Sequence, residues 1–208
     1  EDRKADSELT SITIGIEEVT KELAKLNPHK AAGPDGLHPR ILIETVAEIA
    51  WVITAIFNKS LTEERVPQAW KSANVVPIYK KGDRSDPANY RPISLTSIGS
   101  KLLEKLVKRH ITTHLSDNHL LSDAQYGFRP GRSCTLQLLV ALDQWTHELN
   151  SGKPVDVAYL DFSKAFDVVP HKRLMDKVAA HGIKGKLANW IQDFLKDRRQ
   201  RVTVEEGY

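Results

Sequence analysis

One cysteine, Cys134, and one methionine, Met175, stand in the 208 residues. A single thiol makes no intramolecular disulfide and no cysteine-based zinc site, which fits a reducing compartment. Long apolar runs are missing too. The most hydrophobic stretch, Ile49 to Phe57, is flanked by Glu44, Glu48 and Lys59, and it falls well short of the ~20 residues that cross a bilayer. No membrane span is expected. Aromatic residues make up only 7%. A methionine start and a signal-like segment are also lacking, so the chain is expected to be a piece of a longer protein.

What is present suffices for a folded protein. Hydrophobic residues are 40% of the chain, enough to build one large domain or two small ones. The formal charge of +3 is small but uneven, with residues 71–132 carrying 11 basic against 5 acidic side chains. Such a block suits nucleic acid or polyphosphate, and equally a solvated lysine face.

Ile14, Ile16, Val19, Leu23 and Leu26 recur at helical spacing and predict a short amphipathic helix ending near Asn27-Pro28. The following Lys30-Ala-Ala-Gly-Pro-Asp-Gly36 reads as a loop, either a plain connector or one whose glycines let backbone N–H groups approach phosphate beside Lys30. Leu42, Val46, Ile49, Ile53 and Ile56 predict one long core helix over 40–61. Residues 73–79 read as a strand with Trp70 anchoring the return before it, and Tyr79 to Arg84 as a hairpin-like turn. A second strand starts at Asn89. From Ile98 to Leu115 the pattern is helical again, with Leu103, Leu106, Val107 and Ile111 inward and Lys101, Lys105 and Lys108 on another stripe. His110 and His114 lie one turn apart, but no third ligand accompanies them. Leu138, Leu139, Leu142, Trp145 and Leu149 predict another core helix. Helices over 170–180 and around Leu187 to Leu195, then a strand at 201–204, complete the reading.

Three places carry chemistry. Lys80 and Arg91, near the tips of adjacent strands, could close on a triphosphate, one as a point charge and the other as a bidentate fork. Gln125-Tyr-Gly-Phe-Arg-Pro-Gly-Arg-Ser133 is a glycine-kinked loop whose two aromatics and two arginines, Arg129 and Arg132, suit bases and phosphates. Val155 to Leu160 reads as a buried strand ending at Asp161, where a carboxylate is fixed by the strand and open to substrate. Asp161 could bind a divalent metal, cap a turn, pair with Lys164, or serve a phosphohydrolase. The last use needs a second acidic cluster, which the sequence does not offer.

The run Tyr159-Leu-Asp-Phe-Ser-Lys-Ala-Phe-Asp-Val-Val-Pro-His171 resembles the first catalytic motif of reverse transcriptases from LINE-type retrotransposons, most like the jockey group. The hairpin from Val76 to Leu106 and the Gly127-Phe-Arg-Pro-Gly-Arg-Ser133 string resemble two further blocks of that family, in the family's order, and the likeness runs from about Leu26 to the end. It implies an α+β fold with more helix than strand: an N-terminal extension and short helix at 1–27, the fingers of a right-hand polymerase at 28–150, and a partial palm at 151–208. It implies that Asp161 is catalytic and binds Mg2+, that Lys80 and Arg91 hold the triphosphate and Phe166 the sugar edge of the nucleotide, and that Lys30, Arg129 and Arg132 touch the template. The implied partners are an RNA template, a DNA primer and deoxynucleoside triphosphates, in cytoplasm or nucleus and away from membranes. The family's Tyr-x-Asp-Asp and Pro-Gln-Gly strings do not occur. A chain without them is expected to polymerise nothing alone, and a remnant that only binds RNA is the alternative.

Overall fold

The structure, a computed structural model, describes residues 5–162 and 167–203. Helix α1 (Ile16–Ala24) begins where the Glu18 carboxylate accepts the Gly15 N–H at 3.1 Å, with Glu17 and Glu18 against the positive end of the helix dipole. Its inner face buries Val19 and Leu23. The long helix expected over 40–61 is two, α2 (Pro39–Glu44) and α3 (Val46–Thr62). Thr45 divides them at φ −110°, ψ 20°, its hydroxyl donating to the Ile41 carbonyl at 2.8 Å. The Thr45 N–H donates to the same carbonyl at 3.1 Å, so backbone and side chain together close α2 where the chain changes direction.

Strand β1 (Ser72–Tyr79) and β2 (Tyr90–Thr96) form the expected hairpin, and α4 (Ile98–Asp117) follows at once. Helices α5 (Cys134–Asn150), α6 (His171–Ala180) and α7 (Gly185–Leu195) precede β3 (Arg199–Val202). The sheet order is β2-β1-β3, antiparallel between β1 and β2 and parallel between β1 and β3. This α+β molecule has far more helix than strand.

The core lies among α1, α3, α4 and α7. Leu23, Phe57, Leu103, Leu106 and Leu187 are sealed in it, and Trp70 packs edge-on against Phe57 with ring centroids 5.8 Å apart. At roughly 1.5–3 kcal/mol for each large side chain removed from water, this cluster is the main cohesive element. Buried ions tie its parts together. Asp193 on α7 accepts the Val66 N–H at 2.7 Å and pairs with the buried Lys71 at 3.0 Å, joining α7 to the base of β1.

Two further expectations fail. Helix α5 forms, but it buries no residue, and Leu142 is 53% exposed where core was expected. Residues 155–160 make no strand, with Tyr159 84% and Leu160 96% exposed. A strand needs a neighbour for its N–H and C=O groups, and among the described residues none lies beside this segment.

Candidate nucleotide and nucleic-acid site

The hairpin register decides where the cations go. Ile78 pairs with Arg91 and Tyr79 with Tyr90, and the Lys80 N–H donates to the Asn89 carbonyl at 2.8 Å, carrying the ladder one residue further. Paired residues share a face and successive ones alternate. Lys80 and Arg91 therefore lie on one face, with Ile78, Val76 and Ile93. Tyr79 and Tyr90 lie on the other, edge to face at 5.6 Å, with the Arg84 guanidinium 5.0 Å over the Tyr79 ring.

Glycine shapes the turn between the strands. Gly82 has φ +92°, and a Cβ there would meet the Asn89 side chain at 2.6 Å. Asp83 accepts from the backbone N–H and the hydroxyl of Ser85, which hold its carboxyl below the usual range. Its lone pairs serve the turn. Lys80 and Arg91 are exposed, and neither has a carboxylate partner among the described residues.

The loop of Lys30 sits at the base of this hairpin. Gly33 is buried, and a Cβ on it would stand 2.6 Å from the Thr96 carbonyl oxygen and 2.8 Å from the Ser97 nitrogen. The glycine read as a way to let phosphate approach thus lets the loop backbone touch the end of β2. Lys30 is exposed beside it in sequence.

Arg129 and Arg132 are occupied within their own loop. Asp123 pairs with both, at 3.8 and 3.5 Å, while Arg129 donates to the Ser122 carbonyl and Arg132 lies 4.9 Å over the Tyr126 ring. Sequence reasoning passed over Asp123. The one signal was a lone acid ahead of a basic loop. The lysine stripe of α4 is also thinned, because Lys105 pairs with the buried Glu22, as does Arg109. Burial works against charge on Glu22, but the two cations prevail and hold its carboxyl below the usual range. His114 donates to the His181 carbonyl at 2.9 Å, whereas His110 stands 3.7 Å from the Glu18 carboxylate and its buried Nε2 makes no hydrogen bond among the described residues.

Asp161 lies exposed in the irregular segment, and Phe166 falls outside the described residues. Among the described residues no three His, Cys, Asp or Glu side chains gather as a metal would require. Magnesium takes near-octahedral oxygen coordination, and Asp161 alone does not supply it. The described residues do not by themselves fit a resident metal, so no chemical step is assigned to one.

A helical body carrying a small mixed sheet, with Lys80 and Arg91 exposed near the sheet's tip, defines an α+β domain. The chain belongs to the reverse transcriptase (RNA-dependent DNA polymerase) family, whose profile matches residues 78–208. It is similar to the RNA-directed DNA polymerase from the mobile element jockey of Drosophila melanogaster, 31% identical over 94% of this chain and 21% of that protein. It is likewise similar to a probable RNA-directed DNA polymerase from transposon BS of the same fly, at 29% over 94% of this chain and 22% of that one. With the Pol polyprotein of the type-1 element R2 from Popillia japonica the identity is 26%, over 93% of this chain and 26% of the relative. The chain thus spans about a fifth to a quarter of the length of these relatives. Reverse transcriptases are nucleotidyltransferases that generally use Mg2+ and act on template, primer and nucleotides. No described helix is long and apolar enough to cross a membrane.

Proposed function

We propose that the chain is the fingers (28–150) and first palm segment (151–208), behind a short helical extension (1–27), of a retrotransposon reverse transcriptase that adds deoxynucleotides to a DNA 3′-end on an RNA template. Lys80 and Arg91 receive the triphosphate of the incoming nucleotide. Lys30, Arg129 and Arg132 contact the template, Phe166 borders the nucleotide sugar, and Asp161 is a metal-binding catalytic carboxylate of the complete enzyme with Mg2+. The observation that carries this reading is the placement of Lys80 and Arg91 on one exposed face at the end of the β1–β2 ribbon, without a carboxylate partner among the described residues.

An ammonium and a guanidinium so placed neutralise a polyphosphate as a point charge and a fork. Each charge-assisted hydrogen bond contributes about 1.5–3 kcal/mol, so Lys80→Ala and Arg91→Ala should each weaken deoxynucleoside triphosphate binding roughly tenfold or more. Binding of a fluorescent deoxynucleotide to the 208-residue chain measures this, and unchanged affinity in both variants would overturn the assignment. An RNA-binding remnant without catalysis is the second reading. It is favoured by the lack of a gathered metal-ligand group among the described residues.

A further inference from the structure

The third strand brings two more cations to the face that carries Lys80 and Arg91. In the parallel ladder Ser72 pairs with Arg199 and Asn74 with Arg201. Residues 72, 74, 76, 78 and 80 of the central strand share one side by alternation, so Arg199 and Arg201 lie on that side as well. Arg201 confirms the placement by donating to the Asn74 Oδ1 at 3.2 Å. That bond orients its guanidinium and leaves four N–H donors for another acceptor.

The face has an order along its length. Arg199 and Arg201 occupy its lower end, and Lys80 stands six residues beyond the Asn74 row, about 20 Å away at ~3.3 Å per residue. Between them lie Val76, Ile78 and Ile93, the isoleucines 51% and 42% exposed. Arg199 and Arg201 are exposed, and among the described residues neither pairs with a carboxylate. The neighbouring Arg198 is turned elsewhere, 4.6 Å over the Phe194 ring and bonded to the Phe194 carbonyl.

We infer that Arg199 and Arg201 form a second phosphate-binding pair, and that the sheet face from them to Arg91 takes a segment of single-stranded nucleic acid. This rests on the reading of Lys80 and Arg91 as the nucleotide's triphosphate ligands. Two arginines two residues apart on a strand offer their forks to successive phosphates of one backbone. The exposed isoleucines then meet sugars or the faces of unstacked bases. A duplex keeps its base faces hidden, whereas a single strand presents them to such a surface.

The test is anisotropy of a labelled oligo(U) RNA bound to the 208-residue chain across a range of KCl, beside fluorescent deoxynucleotide binding. Each phosphate contact on a single strand contributes about 0.7 to the salt slope. Arg199→Ala with Arg201→Ala should therefore lower the slope by about 1.4, weaken RNA binding roughly tenfold at low salt, and leave deoxynucleotide affinity unchanged. The double lysine variant, R199K with R201K, should keep the parental slope. RNA affinity and slope unaltered in the alanine variant would overturn the inference and leave the triphosphate assignment standing. Loss of the slope in the lysine variant would overturn it too, by tracing the effect to the strand and not to its charge. If the triphosphate assignment is wrong, deoxynucleotide binding stays unchanged when Lys80 and Arg91 are replaced, whatever the β3 variants do.

Discussion

Asp193 shows how one carboxylate can hold separate parts of the molecule together. Its two oxygens serve the Val66 N–H and the Lys71 ammonium, and Lys71 is almost wholly buried. Burial opposes the charge on Asp193, but the Val66 hydrogen bond and the Lys71 ion pair outweigh it and hold its carboxyl below the usual aspartate range. A carboxyl whose folded pKa is depressed contributes stability that is complete above the unfolded value and disappears as pH falls through the folded one. Stability should accordingly decline as pH falls from the ordinary aspartate range through the lower folded one. Asp193→Ala should cost about 3 kcal/mol at neutral pH, because it strands a buried ammonium, and should flatten the acid limb. Urea melts at several pH values measure both. None of this was legible in the sequence, where Asp193 and Lys71 are far apart and each looks like an ordinary surface charge.

At the scale of elements, periodicity located α1, α4 and α7 because each has an apolar stripe that meets a neighbour, and turn composition located the β1–β2 hairpin. Periodicity also placed α5 but wrongly buried it, and it drew a strand over residues 155–160, for the same reason. An apolar stripe says that a face suits burial, not what will bury it, and Leu138, Leu142 and Tyr159 remain exposed. Thr45 divides the helix that periodicity drew through it. Among the site residues, Lys80 and Arg91 were legible as charges near two strand ends, but their shared face depends on a register that only pairing fixes. Arg-x-Arg in a strand places both side chains on one side, a signal at Arg199 and Arg201 that was available and went unused. The Gly33 loop gives a prediction about how elements meet. Gly33→Ala drives a methyl into the Thr96 carbonyl and the Ser97 nitrogen, and both are backbone. Overpacking of this kind costs about 1–3 kcal/mol. Thermal melting should report a lower midpoint, and an unchanged one would mean that the loop does not rest on β2.

The whole molecule is a packed body of α1, α3, α4 and α7 bearing a sheet that is open on much of both faces. Phosphoryl chemistry with two metals requires carboxylates close enough to hold ions ~3.5–4 Å apart, and Asp161 has no such companions among the described residues. The 208-residue chain should therefore bind nucleotide and RNA yet extend no primer. A gel-based extension assay with labelled primer on an RNA template checks this. Asp161-dependent products would contradict it.

The parallel pairing of β1 with β3 also sets a timetable. Asn74 and Arg201 touch across 127 residues, and translation at ~5–20 residues per second needs about 6–25 s to span them. For that interval a nascent chain can offer β1 its hairpin partner but not its third strand. One edge of the central strand is then bare on the ribosome, open to any extended peptide nearby, until four closing residues arrive to claim it.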